Sequence, residues 1–288
     1  MIGNHRQNSL FIRLLQLLIV FFACFLLGIV LGAAIAGNAS DEINTLKILQ
    51  FIQSVSSFIL PAFILAYWWS KKPPDYLQLK TKVSWQTVAF VFLMMIVAVP
   101  VINLLADLNS RIVFPGFLSD MENTFKTMEE RAAAQTEKML AVNSVGGLLA
   151  NVLLIAIVPA LGEELFFRGT MQRLFRQNST ATLAIWLTAF IFSAIHMQFY
   201  GFIPRMLMGV FFGYLVVWSG SMWLPIWAHF VNNFLVVLFH YLYGKGINPV
   251  NIDTIGTGQT WWLGCICGII FITGAFFLKN NLKKNEQK

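Results

Sequence analysis

The chain has 288 residues, 57% hydrophobic and only 11% charged, with a net charge of +7. A soluble domain carries about 25% charged and 45–50% apolar residues. The composition excludes a disordered chain, a nucleic-acid-binding module and an ordinary cytosolic enzyme. It leaves an all-α polytopic transmembrane bundle, one domain over residues 1–288, with the lipid bilayer as its first partner.

A spanning helix needs about 20 mostly apolar residues, and about eight runs qualify. They are Phe11–Ala36, Ile48–Trp69, Trp85–Leu108, Val145–Phe167, Thr182–Met197, Phe202–Trp218, Trp223–Tyr243 and Trp261–Leu278. The fifth and sixth are short and form a helical hairpin turning near Tyr200-Gly201. The first is too long for a signal-peptide core of about 7–15 residues, so it is read as a span. Cys24 follows Ala23 in a weak lipobox-like setting, but more apolar residues follow, against lipidation. Three cysteines make no disulfide framework, and Cys265 and Cys267 are read as small apolar residues of the last span.

An even number of spans puts both termini on one side. That side carries Arg6, Arg13, Lys71, Lys72, Lys80, Lys82, Arg168, Arg173, Arg176, Lys279, Lys283, Lys284 and Lys288. The other carries Lys47, Arg111, Lys126, Arg131, Lys138, Arg205 and Lys245. Thirteen against seven, of 20 in all, predicts cytoplasmic termini, and the general character is that of a bacterial inner-membrane protein. Residues 11–108 then hold the N-terminal spans, 145–243 a polar-bearing core, 261–278 the last span and 279–288 a basic cytoplasmic tail. Residues 109–143 form an extracytoplasmic connection in which Met121–Leu140 reads as a helix, either a lid or a solvated linker. Gly28/Gly32, Gly209/Gly213 and Gly264/Gly268 have the spacing that lets helix backbones approach.

Ionisable groups inside a span are costly and are functional hypotheses by default. Glu163 and Glu164 sit together near the end of the fourth run. Glu164 and Arg168 share a helix face and can pair, while Glu163 points about 100° away and is left to face a cavity. His196 shares a face with Phe192, and His229 with Asn233, with Asn232 close by. Pro225 before them is expected to bend the helix and free a carbonyl. His240 shares its face with nothing useful and is read as structural.

Glu163 lies about 16 residues before the turn near Asn178-Ser179-Thr180 and His196 about 17 after it, so at 1.5 Å per residue they share a depth. His229, about nine residues past Gly220, lies roughly 13 Å in. These groups are therefore expected to meet in the cytoplasmic half of the membrane, where they invite water activation. In a metal route Glu163, His196 and His229 bind Zn²⁺ or a similar ion. In a metal-free route Glu163 and His196 position the water while His229 and Asn233 donate to the oxyanion. No HExxH spacing decides between them.

Glu163-Glu164-x-x-x-Arg168, Phe192-x-x-x-His196 and His229-x-x-x-Asn233 match in order the three motifs of the CAAX-protease and bacteriocin-processing family of intramembrane proteases. Within it the chain resembles the type II CAAX prenyl endopeptidases, from about Val145 to Tyr243. The resemblance implies an eight-helix endopeptidase, commonly called a metalloprotease, whose site opens toward the cytosol. It places Glu163, Glu164, Arg168, His196, His229 and Asn233 in that site. It also implies a peptide or protein substrate, lipid-modified or membrane-bound. The competing readings are a non-catalytic bacteriocin-immunity or scaffold protein, and a small transporter, which should show a repeated half.

Overall fold

A computed structural model describes residues 9–37 and 42–286. Arg6, Lys288 and the side chains of Lys283 and Lys284, used in the charge reading, lie outside the described set. The described residues contain helices and no strand. The helices are α1 (Leu10–Ala36), α2 (Glu42–Trp69), α3 (Trp85–Ser110), α4 (Ser119–Leu140), α5 (Val145–Arg176), α6 (Ala181–Ala194), α7 (Phe202–Ser219), α8 (Trp223–Gly244) and α9 (Trp261–Glu286). Seven stretches of the described chain are helical, long and apolar enough to cross a membrane. The protein is thus an all-α bundle and an integral membrane protein. Phe11 and Ile269 show why the outer surface suits lipid: they are 73% and 68% exposed.

All eight apolar runs become helix, but the fifth falls short of a span. Thr180 starts α6 by accepting from Leu183 N–H, and the helix ends at Ala194 after 14 residues. It stops because Met197 adopts a left-handed backbone, φ 55°, immediately after His196. The fourth run, by contrast, extends well past Phe167, so Arg168, Arg173 and Arg176 all ride on α5. Ser84 and Ser144 cap α3 and α5 in the same way as Thr180, through a hydroxyl that accepts from the first turn.

Two segments of α5, Val152–Ile157 and Leu165–Gln172, are π-helical. Such i→i+5 segments re-aim the side chains that follow them and occur often at functional sites. The small-residue spacings are used as contacts in most places. A Cβ on Gly209 would stand 3.2 Å from Ala189 Cβ, and one on Gly213 2.9 Å from Ile185 Cγ2. Gly268 faces open space.

Helix α4 starts at Ser119, before the expected Met121, and lies over the connection between α6 and α7. Glu129 Oε2 accepts from Tyr200 N–H at 3.2 Å. Phe125 stacks on Phe199, 5.5 Å between ring centres.

Candidate active site

Residues 163 and 164 divide as their helical angles demand. The side chain of Glu164 is fully buried, and its Oε1 accepts from Arg168 Nη1 at 2.9 Å. The same oxygen lies 2.8 Å from His229 Nδ1. A carboxylate only accepts, so Nδ1–H is the donor and Nε2 is left free. Arg168 is held on its other side by Gly209, whose carbonyl accepts from Nη2 at 3.1 Å. One turn on, Gln172 Nε2 donates to Gly213 O at 3.2 Å. The missing side chains at Gly209 and Gly213 thus let two polar groups of α5 reach the backbone of α7. The rings of Phe192 and Phe212 lie 4.6 and 5.5 Å from the Arg168 guanidinium, and Phe212 also stacks on His229 at 5.3 Å.

Glu163 faces the other way, into a cavity of about 330 Å³. Its Oε2 lies 3.9 Å from His229 Nε2, too far for a direct hydrogen bond. His196, Asn232, Asn233 and Arg205 line the same space. All four groups that the sequence expected to meet, Glu163, His196, His229 and Asn233, therefore share one cavity, with Glu164 and Arg168 behind it.

Asn233 is placed by a proline, though not the expected one. Pro225 stands in the first turn of α8, where a missing N–H costs no helical bond. The effective proline is Pro159 of α5. It cannot donate to the carbonyl four residues back, Ile155 O, and Asn233 Nδ2 donates there instead at 3.1 Å. Asn233 Oδ1 in turn accepts from Asn232 Nδ2 at 3.2 Å.

His196 lines the same cavity as Glu163, the shared depth that their equal residue counts predict. Helix α6 runs only about 21 Å, short of a hydrocarbon core of about 30 Å. His196 follows its far end, in the connection to α7. Gly201 and Arg205 in the next connection and first turn of α7, and Ala106 near the end of α3, wall the cavity toward the same end. The His196 ring is oriented by its Nδ1–H, which donates to Phe192 O at 2.7 Å. Its connection is tied down by Asn109, which donates to Phe199 O and accepts from Ile203 N–H, both at 2.9 Å.

Arg205 and Asn109 are the residues that sequence reasoning missed. Arg205 Nη2 donates to Gln198 Oε1 at 2.8 Å, while Nη1 is buried without a partner among the described residues. The available signal was a cation three residues into an apolar helix, next to the turn that carries His196. His240 behaves as read, outside the cavity, with Nδ1 on Val236 O and Nε2 3.3 Å from Asp253 Oδ2.

Among the described residues no three His, Cys, Asp or Glu side chains gather closely enough to hold a metal ion. Glu163, His196 and His229 share the cavity without closing into the tripod that a Zn²⁺ site needs.

Helices α5 to α8 and the connection between α6 and α7 carry Glu163, Glu164, Arg168, His196, Arg205, His229 and Asn233. Residues 145–235 match the family model of the type II CAAX prenyl endopeptidases, Rce1-like. The likeness carried by the three motifs is borne out over this Rce1-like segment. A curated relative, the uncharacterized protein YpbD of Bacillus subtilis (strain 168), is 27% identical over 139 residues. That stretch is 47% of this chain and 61% of the relative, so the chain spans less than two thirds of the relative's length. No solved structure matches the chain.

Proposed function

We propose that the protein is an intramembrane endopeptidase in which Glu163 activates a water for attack on a peptide carbonyl. The observation that carries this reading is the 3.9 Å gap between Glu163 Oε2 and His229 Nε2. Both atoms are acceptors once Nδ1–H is committed to Glu164, and a polar gap of this width suits a bridging water. Such a water donates one hydrogen to each and turns its lone pair into the cavity. Glu163 takes the proton as the carbonyl is attacked and returns it to the leaving amine. Asn233, Asn232 and Arg205 are the donors on hand for the developing oxyanion. His229 is thereby moved from oxyanion donor to water acceptor, with Glu164 and Arg168 as its positioning pair.

The substrate is a peptide segment of a membrane-bound or lipid-modified protein. We place the protein in a bacterial inner membrane with both termini cytoplasmic, from the charge count. The cavity walls at His196, Gly201 and Arg205 then lie in the far half of the bilayer, whereas a cytosolic opening requires the termini outside. Labelling of a cysteine placed near residue 200 with a membrane-impermeant maleimide decides this; labelling of intact cells is expected.

The function is tested by comparing protein termini across the proteome of cells carrying the wild type or Glu163→Gln. New termini that appear only with the wild type are expected. Identical sets, with both proteins folded and present, would sink the reading and favour an immunity or scaffold role. Metal analysis with chelator treatment is expected to leave cleavage unchanged; loss on chelation and return with Zn²⁺ would restore the metal route.

A further inference from the structure

Between α3 and α4 the chain turns large apolar side chains outward. Val113 is 77% exposed and Phe117 85%, and Ile112 and Met121 are 40% exposed. One ring of the same stretch points the other way. Phe114 packs on Phe199 and Phe125, with ring centres 4.8 and 6.0 Å away, and its N–H donates to Glu122 Oε2 at 3.2 Å. The backbone is therefore held by α4 and by the connection that carries His196, while the outward side chains are left uncovered by the described residues.

Two observations identify what covers them. The first is continuity with the lipid-facing surface. Leu108, in the last turn of the spanning helix α3, is 52% exposed, and Ile112 follows it by four residues through a turn in which its N–H donates to Asn109 O. The 26 residues of α3 rise about 39 Å against a hydrocarbon core of about 30 Å, so the chain leaves this helix at the level of the headgroups. The second is an overhang. Met121 shares a face of α4 with Phe125 and Met128, at steps of four and three residues. Phe125 on that face stacks on Phe199, and Met139 further along it is buried. Met121 thus marks where the face runs past the bundle, and past the bundle at this level lies the bilayer. Arg111 and Lys126 flank the stretch with exposed side chains, each paired with a carboxylate four residues before it. Apolar side chains flanked by cations suit a segment that lies in the interface with its apolar side at the acyl boundary.

We propose that residues 112–121 dip into the bilayer surface at this end of the bundle and seat Val113 and Phe117 at the boundary between headgroups and acyl chains. Phe114 then ties the inserted stretch to Phe199, so the bilayer helps to hold the connection that carries His196.

The test reads depth, not activity, and is independent of the protease reading. In the full chain carrying Cys24→Ala, Cys265→Ala and Cys267→Ala, a nitroxide is attached at Phe117→Cys, Val113→Cys or Ala134→Cys. Ala134 is exposed on the face of α4 turned away from the bundle. Each protein is reconstituted in phosphatidylcholine–phosphatidylglycerol vesicles. Collisions of the label with oxygen, which concentrates in lipid, and with a water-soluble nickel chelate are compared by electron paramagnetic resonance. Oxygen collisions in excess at 117 and 113, and nickel collisions in excess at 134, are expected. Nickel in excess at 117 and 113 shows a solvated loop and overturns the proposal. Shielding from both reagents there shows a covering protein, a second copy or another chain, and overturns it equally. Both side chains are exposed, so neither change removes a packing contact; position 117 decides where the two differ, and position 113 decides if the first protein does not fold.

Discussion

Helix α8 carries two histidine–carboxylate pairs, one deep in the bundle and one at its far end. His229 meets Glu164 at 2.8 Å in a buried site, and His240 meets Asp253 at 3.3 Å where Asp253 is 58% exposed. The pairs differ in which ring nitrogen is engaged. His240 has both nitrogens committed, Nδ1 to Val236 O and Nε2 to Asp253, so it ties the 245–257 connection to its own helix. His229 commits Nδ1 alone, and Nε2 faces Glu163 across the cavity. A histidine with both nitrogens engaged fixes structure; one with a free Nε2 beside a second carboxylate is equipped to handle a water.

The sharpest way to break this comparison is at Glu163. Glu163→Gln keeps size and polarity but removes the proton acceptor, and peptide cleavage should fall about 10²- to 10⁴-fold. The melting profile should stay close to wild type, because Glu163 makes no direct hydrogen bond with His229 to lose. Loss of fold together with activity would mean that Glu163 is structural, as Glu164 is.

Glu164→Ala should do the opposite. It leaves the Arg168 charge buried without its carboxylate, a loss that costs about 3–5 kcal/mol in comparable buried pairs. Stability against denaturant and activity should fall together, and His229 should lose its fixed tautomer. A Glu164→Ala protein as stable as wild type would contradict the buried chain from Arg168 through Glu164 to His229.

Asn233→Ala sits between these cases. It strands Ile155 O, which Pro159 cannot satisfy, at a cost of about 1–3 kcal/mol. Restoring the helical bond with a Pro159→Ala change in the same chain should recover most of that stability, measured by chemical denaturation. Cleavage should not recover if the Asn233 amide also serves the oxyanion.

The chain made much of this legible and hid the rest for identifiable reasons. The apolar runs gave helices at the expected places, and the turns at Asn178–Thr180 and Gly220 stand where the punctuation put them. The four-residue spacing of Glu164 and Arg168 was sufficient to pair them. The Asn233–Ile155 bond was hidden because it joins residues 78 apart through a carbonyl that Pro159 leaves open, which no side-chain pattern encodes. That His196 stands beyond its helix was hidden because a residue count cannot tell a helix that ends at Ala194 from one that continues. The π-helical segments of α5 left no periodic trace, since an i→i+5 slip changes bonding without changing residue type.

The smallest effect is expected at His240, and it tests the other half of the comparison. His240→Ala removes a partly exposed pair, and such pairs contribute about 0.2–1 kcal/mol. Hydrogen exchange should quicken in the 245–257 connection while α5 and the buried part of α8 stay protected. Cleavage should be unchanged, since His240 lies outside the cavity that holds Glu163. An activity loss here as large as at Glu163 would mean that the far end of α8 reaches the reacting groups, and the division between a tying histidine and a working one would fail.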